Sequence, residues 1–131
     1  MKTNLGCFRS PLAVLAGILV TTALAFAGEL TLNRGGALTP EVMRSILVLD
    51  MLAAITGGYV TARVAGRSPL KHAFVTAALF TALTSALDYA SKTPMFSIVT
   101  TSLGIIVAIC LGAILWDWHR SIQHGFVAHL V

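Results

Sequence analysis

The chain has 131 residues, 56% of them hydrophobic and 11% charged. Soluble domains carry about a quarter charged residues, so this chain cannot clothe a water-soluble globule, and lipid is left as its solvent. The net charge of +4 comes from basic residues that flank apolar stretches, a pattern of membrane orientation that excludes nucleic acid as the partner.

Apolar runs of about 20 residues predict four transmembrane helices. The fold class expected is all-α: a polytopic membrane protein, an up-down four-helix transmembrane bundle forming one domain over residues 1–131. The spans cover about residues 11–28, 40–65, 69–90 and 94–118. Each of the four prolines follows Ser or Thr, as Ser10-Pro11, Thr39-Pro40, Ser68-Pro69 and Thr93-Pro94, and each pair stands at the start of a span. A hydroxyl at the N-cap satisfies a free N–H, and proline at the first helical position loses no hydrogen bond. No proline is therefore expected inside a span. Gly28 and Gly66 stand where the first two spans should stop.

Span one has a competing interpretation. Lys2 and Arg9 precede an apolar run ending Ala25-Phe26-Ala27 before Gly28, which is also the pattern of a cleaved signal peptide. The apolar run is long for such a leader and further spans follow, so retention is the expectation. The loop after span one turns at Gly35-Gly36. The later connections are short, so spans two and three, and three and four, are expected to pair as antiparallel hairpins.

Orientation follows from Lys and Arg. With the N-terminus inside, Lys2, Arg9, Arg63, Arg67, Lys71 and Arg120 are cytoplasmic, and Arg34, Arg44 and Lys92 lie opposite. Both termini are then cytoplasmic. Trp116, Trp118 and Tyr59 fall towards the inner interface, and Tyr89 and Phe96 near the outer one. The cysteines, Cys7 before span one and Cys110 within span four, lie at different depths and predict no disulfide.

Helices in lipid associate through small residues that let backbones approach. Such residues recur every fourth position: Ala13, Gly17, Thr21 and Ala25; Ala54, Gly58, Ala62 and Gly66; Ala73, Ala77, Thr81 and Ser85; Gly104, Ala108 and Gly112. The packing seams expected run through Gly58 and Ala62 in span two and Gly104, Ala108 and Gly112 in span four, against each other or against a second copy.

Asp50 is the candidate functional residue. It lies about ten residues into span two, where a charge costs about 2.5–3.5 kcal/mol on insertion scales. Asp50, Ala54, Gly58 and Ala62 share one helix face, so the carboxylate should point into the bundle or an oligomer seam. Thr21, Thr22, Thr81, Thr84, Thr101 and Gly104 come out near its depth. The candidate intramembrane polar site is accordingly Asp50 with Thr81 and Thr84. It could couple to a proton or cation; the favoured expectation is a protonated or hydroxyl-bonded Asp that fixes packing. Asp88 and Arg44 could pair near the outer surface, but two separate interfacial charges in water are the expectation.

His72, His119, His124 and His129 lack the spacing of three or four that ligating pairs use, so no metal site is expected. No cofactor motif, Ser-His-Asp order, paired carboxylates or HExxH pattern occurs, and no enzyme is expected. The run Gly57-Gly58-Tyr59 with Ala62-Arg63, Ala65-Gly66-Arg67, Pro69-Leu70 and His72-Ala73 resembles a segment of small four-helix bacterial inner-membrane proteins. That resemblance implies a bacterial inner membrane and a four-helix layout, and it implies no activity. Function is expected to be that of a packing, interaction or accessory membrane protein in contact with the bilayer, forming a homo-oligomer or joining a larger membrane-protein partner. The alternative is a small oligomeric transporter or channel using Asp50.

Overall fold

The computed structural model describes residues 5–32, 39–66 and 68–128, with side chains described from residue 9 to residue 123. Lys2, Arg34, the Gly35-Gly36 turn, Arg67 and His129 lie outside the described residues, as do the side chains of Cys7 and His124. The described residues form four helices and no strand: α1 (Leu5–Leu32), α2 (Pro40–Ala65), α3 (Pro69–Ala90) and α4 (Met95–Ala128). The protein is an all-α four-helix bundle. The membrane-capable stretches are Arg9–Leu32, Pro40–Ala65, Pro69–Ala90 and Met95–Gln123. At about 1.5 Å per residue each exceeds the ~30 Å hydrocarbon thickness, and the chain is a multi-pass membrane protein.

Helix ends depart from the proline pattern in specific ways. Only Thr39 caps as expected: its Oγ1 accepts from the Val42 N–H at 3.3 Å, with Pro40 at the first helical position and Glu41 in the first turn. Ser68 makes no side-chain cap. Proline after it disfavours the right-handed helical region, and Ser68 sits left-handed at φ 51° and ψ 57°. Its carbonyl accepts from the Lys71 N–H instead. At Pro94 the carbonyl receives the Ser97 and Ile98 N–H groups, and the helix begins one residue later. Pro11 lies inside α1, which contradicts the expected start there. Pro11 denies the Cys7 carbonyl its partner, but Cys7 is the third residue of α1, so this carbonyl lies near the helix end where water can serve it.

Two stops also move. Gly28 does not end α1; it lets the Leu49 side chain of α2 approach, and a Cβ there would lie 3.2 Å from Leu49 Cδ1. Gly66 does end α2, at φ 68° with its N–H on the Ala62 carbonyl. Past Trp118, α4 continues to Ala128. The segment His119-Arg120-Ser121-Ile122-Gln123 is mostly polar but contains no breaker, so the helix runs on past the expected end of span four.

Packing follows from Gly57-Gly58. Adjacent helical residues point about 100° apart, so this pair strips side chains from two faces of α2 at one level. On one face α1 and α2 interlock antiparallel: Gly17 sits against Thr61, and Gly57 against Thr21. On the other, Gly58 meets the Ile109 backbone, and Gly112 meets the backbone of Ile55 and Tyr59. These contacts, with Gly104 beside Met51, run in the same sense along both chains, so α2 and α4 are parallel. The tightest partners of α2 are therefore α1 and α4 rather than its hairpin mate α3, which it touches less. A hydroxyl contact between Thr61 and Thr76 at 3.5 Å links α2 to α3. Ser85 and Ser102 hydroxyls, 3.0 Å apart, join α3 to α4. His72 Nε2 and Ser10 Oγ, 2.9 Å apart, join α3 to α1.

The interior is built from small residues, among them Ala62, Ala73, Ala77 and Ala113, with Ile109 as the largest fully buried side chain. Large apolar residues such as Leu19, Leu52, Leu83 and Leu103 coat the outside. That inversion is what lipid demands: burying Leu away from acyl chains gains little, whereas close backbone approach gains dispersion.

Candidate functional site: an acidic cavity on the bundle axis

All four helices contribute to one internal cavity of about 220 Å³. Its polar lining is Thr21 and Glu29 from α1, Asp50 from α2, Thr84 and Asp88 from α3, and Thr101 from α4. Glu29 and Asp88 stand within the last turn of their helices, close to the α1–α2 and α3–α4 connections. Asp50 lies ten residues into α2, about 15 Å deeper along its axis. The mouth is therefore acidic, and Asp50 stands well below it. The cavity ends on side chains that are closed to solvent: Thr21, Ala54, Phe80 and Ile105 are all buried. Beyond that floor lies the Gly17–Thr61 and Gly57–Thr21 interlock.

Hydrogen bonding at Asp50 differs from a hydroxyl-bonded arrangement. Thr21 donates to the Gly17 carbonyl at 2.9 Å, and Thr84 lies 3.1 Å from the carbonyls of both Phe80 and Thr81. These hydroxyl protons are committed to their own helices. Asp50 Oδ1 is buried with no hydrogen-bond partner among the described residues, and so is Thr81 Oγ1. Such a carboxylate is costly in an apolar setting unless something with a positive charge or a proton meets it.

The residues near Asp50 in depth separate by direction. Thr21, Thr84 and Thr101 line the cavity. Thr22 is exposed on the outside of the bundle and donates to the Ile18 carbonyl. Thr81 lies off the cavity lining, and Gly104 faces Met51 at the α2–α4 seam. Asp88 lines the cavity, whereas Arg44 is exposed. Of the packing residues, Gly58, Ala62, Ala108 and Gly112 are buried within one copy of the chain, and Gly104 only partly.

Glu29 and Asp88 are site residues that depth alone does not identify. Their signal is spacing: Glu29 continues the series Gly17, Thr21, Ala25 at every fourth residue, and Asp88 follows Phe80 and Thr84 in the same way. Three of the five acids thus meet one cavity, whose lining among the described residues contains no Lys, Arg or His. Among the described residues no group of three His, Cys, Asp or Glu is close enough to hold a metal ion. His72 is engaged with Ser10 and with the Ser68 carbonyl, and His119 with Gln123.

Fold and site together define a multi-pass α-helical membrane protein with an acidic cavity closed at mid-bundle. No protein-family model, curated protein or solved structure matches the chain.

Proposed function

We propose that this chain is a non-enzymatic protein of the bacterial inner membrane, with both termini cytoplasmic, acting as an interaction or accessory subunit with its own copies or a larger membrane partner. The observation that carries this reading is the closed floor of the cavity. Beneath Asp50 the helices meet backbone to backbone at Gly17, Gly57, Gly58 and Gly112, so the described residues of a single copy enclose no path from one side to the other. Six of the nine Lys and Arg residues fall on the assigned cytoplasmic side, which supports the orientation. The resemblance of the Gly57–Ala73 segment supports the inner membrane.

A second reading is favoured by the cavity itself. Two carboxylates, Glu29 and Asp88, towards the mouth and an unpartnered Asp50 oxygen below them suit a proton or cation entering from the mouth, as an oligomeric transporter would require. Reconstitution separates the two. Liposomes containing the protein, challenged with a proton gradient and monitored with a trapped pH dye, should leak no faster than empty liposomes. Leak that rises with protein and disappears in Asp50→Asn would overturn the accessory reading in favour of transport.

A further inference from the structure

The α2–α4 seam presents a second feature, running from the level of Asp50 towards the end of the bundle away from the cavity mouth. Their parallel register sets Met51 beside Gly104 and Arg63 beside Trp116. Along the outside of this seam runs an apolar groove of about 380 Å³, faced by Met51, Ile55, Leu103, Val107 and Leu111. Gly104 supplies its depth by having no side chain, with only the Met51 methyl near the position a Cβ would take. The groove lies on the lipid side, since Leu103 and Val107 are more than half exposed.

About two helical turns past Ile55, beyond the groove's lining, the same α2–α4 seam carries a polar head. Arg63 is exposed, and its guanidinium carbon stands 6.0 Å over the Trp116 ring. Tyr59 packs edge-on against the same indole at 5.3 Å, and His119 lies 6.2 Å away. An indole under the guanidinium orients it by cation–π attraction and leaves the edge of its planar fork free for a phosphodiester. Arg120, held on the Gly66 carbonyl at 3.2 Å, adds positive charge at this end. From Arg63 to Met51 is twelve residues, or about 18 Å of helix. One leaflet of hydrocarbon is about 15 Å deep.

We propose that this groove is a binding site for one anionic phospholipid of the adjacent leaflet. Its phosphate sits on Arg63 above Trp116, and an acyl chain lies in the groove that Gly104 opens. Charge complementarity selects the lipid class: the ammonium of a zwitterionic headgroup offsets the attraction, whereas a phosphatidylglycerol headgroup does not. The groove shares Met51 with the lining of the Asp50 cavity but opens on the lipid side of the seam.

Trp116 provides the reporter. The chain has two tryptophans, so Trp118→Phe leaves Trp116, excited at the red edge where tyrosine does not absorb, as the sole tryptophan reporter beside the site. This variant is reconstituted in dioleoylphosphatidylcholine vesicles containing increasing fractions of dibrominated phosphatidylglycerol or, separately, dibrominated phosphatidylcholine. Brominated phosphatidylglycerol should half-quench Trp116 at about five-fold lower mole fraction, the preference that about one basic residue near a membrane surface confers. Adding Arg63→Gln should abolish that preference, and adding Lys71→Gln, on α3 at the same end, should preserve it. Gly104→Leu fills the groove and should raise the half-quenching fraction for both lipids several-fold. Equal quenching by the two lipids would overturn the proposal. So would loss of the preference in Lys71→Gln to the same degree as in Arg63→Gln, which marks a diffuse surface field, or Gly104→Leu quenching like the parent.

Discussion

Two glycines on small-residue stripes, Gly58 and Gly104, should respond oppositely to the same substitution. A Cβ at Gly58 would overlap the Ile109 carbonyl oxygen and lie 2.8 and 2.9 Å from the Ile109 C and Cα atoms. Ordinary carbon contacts begin near ~3.5 Å, so α2 and α4 must part by about 1 Å, and backbone cannot rotate out of the way. A gap of that size forfeits about a quarter to a half of the dispersion along the seam. Overpacking of this kind costs about 1–3 kcal/mol, against about 0.5–1 kcal/mol regained from better helix propensity. Gly58→Ala should therefore destabilise the protein by about 1–2 kcal/mol. At Gly104 the only near atoms are the Met51 methyl at 2.9 Å and its sulfur at 3.5 Å. A flexible thioether end moves easily, so Gly104→Ala should be neutral or stabilising by up to about 1 kcal/mol. Unfolding in mixed micelles by increasing sodium dodecyl sulfate, followed by the fluorescence of Trp116 beside Tyr59, measures both. Equal destabilisation by the two substitutions would refute the assigned α2–α4 register.

The hydroxyl pair Ser85 and Ser102 should show a coupling energy of about 0.6 kcal/mol in a double-mutant cycle to alanine, measured by the same unfolding titration; zero coupling would place these hydroxyls apart. Asp50→Asn removes a carboxylate whose Oδ1 is buried and unpartnered, and should stabilise the bundle by about 1 kcal/mol or more. A loss of stability in that titration would mean that the carboxylate is bonded within the protein. Because Gly17 and Thr21 interlock with Thr61 and Gly57, α1 should be retained in the membrane-extracted protein. Amino-terminal sequencing checks this, and a mature start at Gly28 would contradict it.

What the sequence makes legible here depends on whether a signal is local. Four apolar stretches, the Thr39 cap and the Gly66 stop depend on near neighbours, and each is visible as a pattern. Pro11 looks like Pro40 in that pattern, but a proline cap also needs the helix not to have begun earlier. Depth is legible by counting residues, and direction is less so. Thr21 and Thr22 sit one residue apart at nearly equal depth, yet one lines the cavity and the other faces lipid. Gly58 and Gly104 likewise share a stripe pattern, and only a partner helix determines which of them meets backbone. The partnership of α2 with α4 is non-local: no feature of the short α2–α3 connection announces it, although Gly57-Gly58, bare on two adjacent faces, offers the means. Glu29 and Asp88 stand near helix ends, where charged residues ordinarily meet water. Their four-residue spacing from Thr21 and Thr84 is the trace that links them to Asp50.

The central claim is that Asp50 lies at depth in a cavity entered only from the end bearing the α1–α2 and α3–α4 connections. Single-cysteine labelling in intact cells tests it most directly. In a background of Cys7→Ser and Cys110→Ala, Thr84→Cys places a thiol in the cavity, and Leu103→Cys places one towards lipid. A membrane-impermeant methanethiosulfonate added outside should modify Thr84→Cys and leave Leu103→Cys untouched, with no modification of either from the cytoplasmic side of inverted vesicles. Thr84→Cys that is unreactive from outside, or reactive from the cytoplasmic side, would contradict the one-sided cavity.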